Sequence, residues 1–446
     1  MHTYLLRSQL VIPADRQRKD FDNPAILELA QSIATHGLFH AIQVRQDGRT
    51  LVSGERRTLA IDTHLAPLGK TFMYANAEVP YGTIPVVMVN TDDPLALEEI
   101  ELDENFRRKD LTWQEHAEAT ARLHSLRQKQ HMRYTSDDPK GTPNWTTLAT
   151  AAEVHGEELN NNTQEEVRKE ILIARHFDKP EVSKAPNLRE AFKALKKIED
   201  ADRNRALAIA VGETHTSGVH EVFNTNCLDW MRLPEWQGKF DVILTDPPYG
   251  MGAQDFGDGA GRLTGIDHDY DDSYETWRVL LGEWASLSFH VAKPQAHAYI
   301  FCDIDRFHEL RTMMEAAGWY VFRTPLTNYK QNSGRVPLPF EGPRRQSEWC
   351  LYAIKGHKTV NYIASDVIVT GSDEQMSHGA QKPVALYEDL LKRSVKPGDW
   401  TLDTFGGTGP LIPAAHGLKC KAVVVEQNPV YYGSILQRIK ALDEAA

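Results

Sequence analysis

The fold of the C-terminal half is decided by residues 399–429, which read DWTLDTFGGTGPLIPAAHGLKCKAVVVEQNP. An apolar strand over residues 400–402 ends at Asp403, and a glycine-rich turn then leads into a helix. A second apolar strand over residues 422–425 ends at Glu426. This order predicts a βαβ unit, in which the backbone of the turn can approach a ligand because glycine has no side chain.

The same unit predicts a site for a cofactor that carries a nucleoside. Glu426 stands about 20 positions after the glycine turn, where an acidic residue binds ribose hydroxyls. The third glycine of the dinucleotide fingerprint is absent, since Pro410, Leu411 and Ile412 follow Gly409. Its absence disfavours NAD, whose pyrophosphate sits against a helix N-terminus. S-adenosylmethionine (SAM) has a ribose and no phosphate and fits the looser turn, whereas a plain strand–helix turn without a ligand is the alternative.

A second motif, DPPY at residues 246–249, follows the apolar run of residues 242–244. Exocyclic amines of nucleobases are poor nucleophiles, because their lone pair is delocalised into the ring. Asp246 and the carbonyl of Pro247 can accept hydrogen bonds from such an amine, while Pro247 and Pro248 stiffen the turn. Tyr249 offers a ring on which a flipped base can stack. The motif predicts methyl transfer by positioning, and a rigid β-turn without chemistry is the alternative.

From residue 222 to residue 439 the chain resembles the amino-methyltransferases of DNA. DPPY matches their catalytic motif, and DTFGGTG resembles their cofactor motif with Thr404 in a proline position. The catalytic motif comes first, which is the order of the permuted β class. The resemblance implies a Rossmann-like α/β domain with Asp246, Pro247, Pro248 and Tyr249 as catalytic residues. The implied SAM-binding residues are Asn226, Cys227, Lys382, Pro383, Asp403, Phe405, Gly406, Gly407, Thr408, Gly409, Glu426 and Asn428.

Two details of these motifs bear on the substrate and the cofactor. An Asp rather than a Ser begins the catalytic motif, which in this family favours N6 of adenine over N4 of cytosine. N4-cytosine and RNA methylation stay open as alternatives. Where the family has Gly-Asp-Cys, this chain has Thr225, Asn226 and Cys227, and Asn226 could bond the adenine ring of the cofactor.

Two charged segments lie between the motifs. The Asp-rich residues 267–272 invite a calcium interpretation, but the sixth loop position is Asp272 and the twelfth is Arg278, so no metal is predicted. A solvated flap over the target base is predicted there instead. The second segment contains Lys330, Arg335, Arg344 and Arg345. These side chains could contact DNA phosphates, and an ordinary charged loop is the alternative.

The N-terminal region, over about residues 10–126, resembles the ParB/sulfiredoxin-like domain of chromosome-partition proteins. Its two nucleotide-associated motifs are matched by Gly54, Glu55, Arg56 and Arg57, and by Glu104, Asn105 and Arg108. Paired arginines and a helix N-terminus suit a triphosphate such as CTP, or DNA phosphates. Sulfiredoxin chemistry is excluded because no Cys precedes Cys227. We favour a DNA-binding adaptor; a CTP-gated DNA clamp with an inactive methyltransferase fold is the rival.

Polar, turn-rich joints divide the chain into three predicted regions. These are an α+β ParB-like domain at 1–127, a helical region at 145–211 and the methyltransferase domain at 220–446. The helical region resembles the helix-turn-helix of partition proteins, with Gln164, Arg168 and Lys169 facing outward; a plain helical connector is the alternative. Thr112 and Glu115 predict a capping box at the start of one helix. The insertion at 356–380 is short for target recognition, so the front domains are expected to contribute to site choice.

Composition sets the outer limits of these interpretations. The chain of 446 residues has a formal net charge of −12 and 41% hydrophobic residues, which is typical of a globular protein and compatible with a local basic face for double-stranded DNA. Four scattered cysteines favour a reducing compartment. The sequence shows no apolar run of about 20 residues and no signal-peptide pattern. It predicts a cytoplasmic protein of a bacterial or phage-infected cell without a membrane partner, and leaves a homodimer open. With no nuclease region evident, an unpaired modification enzyme of a phage or mobile element is one candidate role, and the partner of a restriction nuclease in a restriction-modification system stays open.

Overall fold

A computed structural model describes residues 3–13, 23–106, 111–135, 145–156, 159–250, 273–331, 342–371 and 382–445. The chain divides into two compact units, Met1–Lys196 and Lys197–Ala446. The boundary between them falls inside a helix, Leu188–Val211, and not at a joint between elements. The predicted division into three regions is not tested by this boundary and stays a prediction.

The first unit begins with a small sheet covered by helices. Its four strands lie in the order β1 (Thr3–Leu6), β6 (Thr83–Met88), β2 (Ile42–Val44) and β3 (Leu51–Ser53), with a hairpin of β4 (Met73–Tyr74) and β5 (Ala77–Glu78). Two helices accompany the sheet, α1 (Asn23–His36) and α2 (Glu55–Ala60). Helix α1 buries Ile26, Ala30 and Ile33, and Gly37, whose φ is +84°, directly follows its last residue.

Helices make up the rest of the first unit. They are α3 (Pro94–Phe106), α4 (Trp113–Thr135), α5 (Thr147–His155), α6 (Asn161–Ala174), α7 (Pro180–Ser183) and the first part of α8 (Leu188–Val211). The capping box predicted for α4 is present, since Glu115 N donates to Thr112 Oγ1 at 3.2 Å and Thr112 N donates to Glu115 Oε2 at 3.0 Å. On α6, Arg168 is exposed and Lys169 lies 3.8 Å from Glu165.

The second unit is built on one large, mostly parallel sheet. Its described strands follow the order β14 (Val367–Thr370), β12 (Leu326–Lys330), β13 (Ser347–Lys355), β10 (Ala292–Cys302), β9 (Phe240–Thr245), β15 (Trp400–Asp403), β16 (Lys421–Val425), β8 (His220–Phe223) and β7 (Thr214–Ser217), with β11 (Tyr320–Val321) beside β13. Strands β10, β9, β15, β16 and β8 run parallel to one another, whereas β13 runs antiparallel to β10.

Helices cover both faces of this sheet. One face carries α9 (Cys227–Met231), α10 (Tyr274–Val291) and α11 (Ile304–Ala317), and the other carries α12 (Val384–Lys392), α13 (Leu411–Gly417) and α14 (Pro429–Ala445). Every residue of β9 is buried, with Val242 and Leu244 in one core and Ile243 in the other. A parallel strand covered on both faces requires such a continuous apolar run.

Helix α14 approaches the second part of α8 closely. A Cβ on Gly433 would lie 2.2 Å from the backbone oxygen of Asn204. Around this contact Asn204 Nδ2 donates to Ser434 Oγ at 2.8 Å, and Gln437 Nε2 donates to Asn204 Oδ1 at 2.7 Å. Among the helices that the structure describes, none is long and apolar enough to cross a bilayer.

Candidate active site

The two motifs singled out in the sequence meet at one edge of the large sheet. Asp246 directly follows β9, Asp403 ends β15 and Glu426 directly follows β16. Strands β9 and β15 are neighbours, with Ile243 opposite Leu402. Thr245 Oγ1 donates to Asp403 Oδ1 at 2.6 Å and so joins the two strand ends. The carboxyl ends of parallel strands are where α/β sheets bind ligands.

The DPPY turn is held by hydrogen bonds around Asp246. Tyr249 Oη donates to Asp246 Oδ1 at 2.8 Å, and Lys382 Nζ donates to Asp246 Oδ2 at 2.8 Å. The same ammonium group lies 3.1 Å from Tyr249 Oη. Pro247 is buried and Pro248 is half-buried. Both carboxylate oxygens of Asp246 therefore have a donor, and each keeps lone-pair capacity for another.

Lys382 lies at the centre of this cluster, with its ammonium group over the ring of Phe301 at 4.9 Å. Burial alone would lower the pKa of Lys382, but the carboxylates of Asp246 and Glu348 hold it well above its usual value. Pro383 is buried and directly precedes α12. The described hydrogen bonds of Lys382 go to the catalytic motif, and its predicted contact with the cofactor stays a prediction.

Each glycine of the turn is required by a different feature of the local geometry. A Cβ on Gly406 would lie 2.3 Å from Val424 Cγ1, so the turn packs directly on β16. Gly409 has a φ of +74°, and its Cβ would lie 2.9 Å from Ile435 Cγ1. Gly407 has a φ of +51°, and a Cβ there would meet only the backbone oxygen of Phe405, at an ordinary contact distance of 4.0 Å. Thr408 beside it is half-buried.

Glu426 joins the glycine turn to the next helix. Its Oε2 accepts from Gly407 N at 2.7 Å, and its Oε1 accepts from Asn428 N at 2.7 Å. Burial raises the pKa of Glu426 to about 7, although these amides favour the ionised form. Asn428 in turn accepts from Val430 N at the start of α14, 2.8 Å away. The Glu426 carboxylate is thus placed to receive further hydroxyl donors, and its charge changes near neutral pH.

Asp403 and Thr404 form the floor beneath the turn. Asp403 is fully buried, and its Oδ1 also accepts from Phe405 N at 3.1 Å. Burial raises the pKa of Asp403 to about 7. Thr404, which departs from the proline of the family motif, accepts a hydrogen bond from the indole Nε1 of Trp284 at 2.9 Å. A buried indole N–H needs an acceptor, and the threonine hydroxyl provides one.

Asn226 and Cys227 lie at the start of α9. Asn226 Oδ1 caps the helix by accepting from Leu228 N at 2.9 Å and Asp229 N at 3.3 Å. Asn caps a helix about as well as Asp does, so the local geometry tolerates this departure from Gly-Asp-Cys. The side chain of Cys227 is only 6% exposed, and burial raises its pKa to about 12. The predicted cofactor roles of both residues stay predictions.

Two polar residues of this edge escaped the sequence analysis. Asn224 Nδ2 donates to the backbone oxygens of Glu426 and Gln427, at 2.8 and 3.1 Å, which ties β8 to β16. Glu348 Oε1 lies 3.6 Å from Lys382 Nζ. A single Glu before the apolar run WCLYAIK was the only signal for it.

The ParB-like motifs lie in the first unit, and their described residues have local structural roles. Gly54 has a φ of +104°, and its Cβ would lie 2.7 Å from Ile42 Cγ2. Arg57 donates to the backbone oxygens of His40 and Ala41 at 3.0 and 2.8 Å, so it supports the fold of its own unit. Glu55 and Arg56 are half-buried, and the backbone of Glu104 and Asn105 belongs to α3. Arg108 lies outside the described residues.

The remaining charged segments are partly described. The Asp-rich residues 267–272 and Arg335 lie outside the described ranges. Arg278 pairs with Glu309 at 3.1 Å, Lys330 forms an ion pair with Glu348, and Arg344 and Arg345 are exposed. In the part of the chain that the structure covers, no group of three or more His, Cys, Asp or Glu could hold a metal ion.

Comparison with known families matches both parts of the chain. Residues 240–376 and 368–437 match the model of DNA methylases, and residues 4–106 match that of the ParB N-terminal domain. These matches confirm both resemblances drawn from the motifs, and with them the predicted fold class: a Rossmann-like α/β methyltransferase domain preceded by an α+β ParB-like domain and a helical region.

Individual relatives each match nearly half of this chain. The type II methyltransferase M2.DpnII of Streptococcus pneumoniae is 25% identical over 231 residues, which is 46% of this chain and 84% of the relative. The type II methyltransferase M.HpaI of Haemophilus parainfluenzae is 24% identical over 226 residues, which is 46% of this chain and 69% of the relative. The crystal structure of the M1.HpyAVI–SAM complex matches 49% of this chain and 99% of its own, with 19% identity and a TM-score of 0.39.

Proposed function

Since the chain joins a DNA methylase domain to a ParB N-terminal domain, we propose that it transfers a methyl group from SAM to the N6 amine of a flipped adenine in double-stranded DNA. One observation carries the proposal. The DPPY turn, with Asp246 and Tyr249 in contact, and the glycine turn, with Glu426 bound to Gly407, end neighbouring parallel strands of one sheet.

The residues of the DPPY turn would bind and orient the target amine. The Asp246 carboxylate and the carbonyl of Pro247 accept hydrogen bonds from the two N–H groups of the amine, which leaves the nitrogen lone pair free to point at an electrophile. Lys382 donates a charge-assisted hydrogen bond to Asp246 Oδ2 and so fixes the orientation of the carboxylate. Tyr249 rotates from its bond with Asp246 to stack on the base.

The residues of the glycine turn would hold SAM, which supplies an electrophilic methyl group when bound. The Glu426 carboxylate accepts the ribose hydroxyls, and its bonds to Gly407 N and Asn428 N orient it for them. Gly406 and Gly409 keep the turn flat against the sheet, where any side chain would collide. Holding amine and methyl group in contact supplies most of the acceleration in such reactions.

The direct test is incubation with isotope-labelled SAM and double-stranded DNA, followed by mass spectrometry of the nucleosides. We expect N6-methyladenine, because Asp stands first in the catalytic motif. N4-methylcytosine in its place would assign the rival base, and label found only in an RNA substrate would assign the rival polymer. No labelled nucleoside from any of them, with SAM binding intact, would overturn the proposal.

The affinity for SAM is expected to depend on pH through Glu426. Its pKa is about 7 in the free protein, so Glu426 becomes protonated as the pH falls below 7. The ionised form is the one that accepts hydrogen bonds from both ribose hydroxyls. We expect SAM to bind up to about tenfold more weakly at pH 6 than at pH 8, since a decade of pH below the pKa leaves about a tenth ionised. Titration calorimetry across this range measures the effect. Glu426→Gln should bind SAM weakly at every pH, with an affinity that does not change between pH 6 and pH 8. If that variant kept the pH dependence of the wild type, the proposed role of Glu426 in binding ribose would be contradicted.

We further propose that the N-terminal unit acts as a DNA-binding adaptor. A deletion that tests this role should end at residue 196. Removal of residues 1–210 would also remove Asn204 and Ala208, which pack within the second unit. Removal of residues 1–196 keeps both. That variant should still methylate, with at least about tenfold weaker DNA binding at low salt, because fewer phosphate contacts remain. Unchanged affinity and unchanged choice among competing sequences would exclude the adaptor role, and CTP binding by this unit stays a separate prediction.

A further inference from the structure

A row of charged and polar side chains, partly or fully buried, leads from β12 through β13 to the catalytic carboxylate that follows β9. Glu348 on β13 forms ion pairs with both Lys330 on β12 and Lys382, the latter at 3.6 Å. Its other oxygen, Oε2, accepts from Asn328 Nδ2 at 3.1 Å. Lys382 continues the row to Asp246 Oδ2 at 2.8 Å. Two side chains, Lys382 and Asp246, thus separate Glu348 from the position proposed for the target amine.

The setting of Glu348 is unusual for a charged residue. It lies opposite Asn328 in the antiparallel ladder, and Asn328 is 1% exposed. Side chains two positions apart share a face, so Glu348 points to the same side as Cys350 and Tyr352, which belong to the core under α12. A carboxylate beside an apolar core is stable only when it is paired. Burial would raise the pKa of Glu348, but the ammonium groups of Lys382 and Lys330 hold it below its usual value.

Lys382 needs Glu348 in order to keep one position. Its side chain is 7% exposed, and its ammonium group has three protons in a space bounded by Asp246, Tyr249 and Glu348. When Tyr249 turns away to stack on a base, one of these three neighbours is lost. Glu348 and Asp246 then hold the ammonium group between two negative charges.

We propose that Glu348 is a positioning residue for methyl transfer: it holds Lys382 against Oδ2 of Asp246, so that the carboxylate presents its remaining lone pairs to the target amine. This inference rests on the proposed function. Its rival is an ordinary cross-strand ion pair between Glu348 and Lys330 that only stabilises the sheet.

The test begins with the full-length Glu348→Gln variant, which keeps the size of the side chain and removes its charge. We expect kcat to fall about 10- to 100-fold, since a displacement of about 1 Å at a reacting group costs this much, with KM for SAM changed less than about twofold. Glu348→Asp should recover part of kcat. The alkaline limb of the kcat profile should move to lower pH, because Lys382 loses one of the carboxylates that keep it protonated.

A double-mutant cycle separates positioning from stabilisation. If Glu348 acts through Lys382, then Glu348→Gln causes no further loss of kcat in the Lys382→Met background. Losses that multiply in the double variant would overturn the proposal, as would a kcat within twofold of wild type in Glu348→Gln alone.

Asp241→Asn is the matched control. Asp241 is 8% exposed, pairs with Lys293 at 2.7 Å and lies near the start of β9, at the opposite end of the strand from Asp246. This variant should lose stability and keep kcat and its pH profile, and an equal fall in kcat would indicate that any buried ion pair of the sheet has the same effect.

A readout without turnover keeps the two hypotheses distinguishable. In NMR titrations of lysine labelled at Cε, the pKa of Lys382 should fall in Glu348→Gln and stay unchanged in Asp241→Asn. If wild-type protein methylates nothing, the proposed function fails, and these titrations still decide whether Glu348 holds Lys382. An unchanged Lys382 pKa in Glu348→Gln would overturn the positioning role in either case.

Discussion

Asp246→Ala is expected to lower kcat by at least about a thousandfold while SAM binding persists. The carboxylate is the acceptor that turns the lone pair of the target amine toward the methyl group, and loss of one preorganised group of this kind costs about 100- to 1,000-fold. The loss should be larger here, because Asp246 also holds Tyr249 and Lys382. Single-turnover methylation with saturating SAM and DNA measures the effect.

The same substitution has a cost in stability that must be separated from its effect on chemistry. It removes the acceptor of a buried ammonium group, and breaking a buried ion pair from one side costs about 3–5 kcal/mol. The double variant Asp246→Ala/Lys382→Met removes both charges and should recover most of that stability without recovering activity. Activity that returned with stability in the double variant would refute a direct role for the carboxylate.

Asp246→Asn gives a closer comparison. An amide keeps one acceptor oxygen, but its NH2 group must face either Tyr249 Oη or Lys382 Nζ, which are both donors to the carboxylate. We expect this variant to fold and to keep less than about one hundredth of wild-type kcat. The substitution removes the negative charge at position 246 and also distorts the DPPY turn. Retention of more than a tenth of the activity would contradict the proposed mechanism.

Gly433→Ala is expected to destabilise the second unit by about 3 kcal/mol, at the upper end of the usual cost of overpacking. The new Cβ would lie 2.2 Å from the backbone oxygen of Asn204, and a backbone atom cannot move aside as a flexible side chain can. Either α8 or α14 must shift, which also breaks the hydrogen bond from Asn204 to Ser434 and the one from Gln437 to Asn204. For a unit of this size the thermal midpoint should fall by about 6–12 °C, as measured by calorimetry.

Gly282→Ala is the control for this prediction. Gly282 lies in the middle of α10, is exposed and has open space where the Cβ would go. Alanine there should raise the free energy of unfolding by about 0.5–1 kcal/mol, because glycine is the poorer helix former. If both variants lowered the midpoint alike, the close approach of α14 to α8 would not be the cause.

Local order along the chain was enough to predict the two strand-end motifs. Asp246 and Asp403 each follow an apolar strand, and parallel strands place their carboxyl ends on one edge. The capping box of Thr112 and Glu115 was readable for the same reason, because its partners are three residues apart. Both kinds of pattern depend on neighbours in sequence.

Partners that are distant in sequence could not be predicted in this way. Thr404 was visible only as a departure from a family motif, and the indole of Trp284 that explains it belongs to a helix far earlier in the chain. Lys382 was expected beside the cofactor, and the structure shows its ammonium group on Asp246 and Tyr249. For Glu348 the only local signal was its place before an apolar run, and its role was not readable because its partners come from β12 and from the residue pair before α12.

By itself the sequence determined the α/β class, the order of the two motifs and the residues that end each parallel strand, since strand periodicity and glycine turns are local properties of the backbone. Only the tertiary structure decided which charges meet at Asp246, why Thr404 replaces proline and where α8 touches α14. Those contacts depend on the packing of helices against a shared sheet, and close packing joins residues by shape and charge irrespective of their separation along the chain.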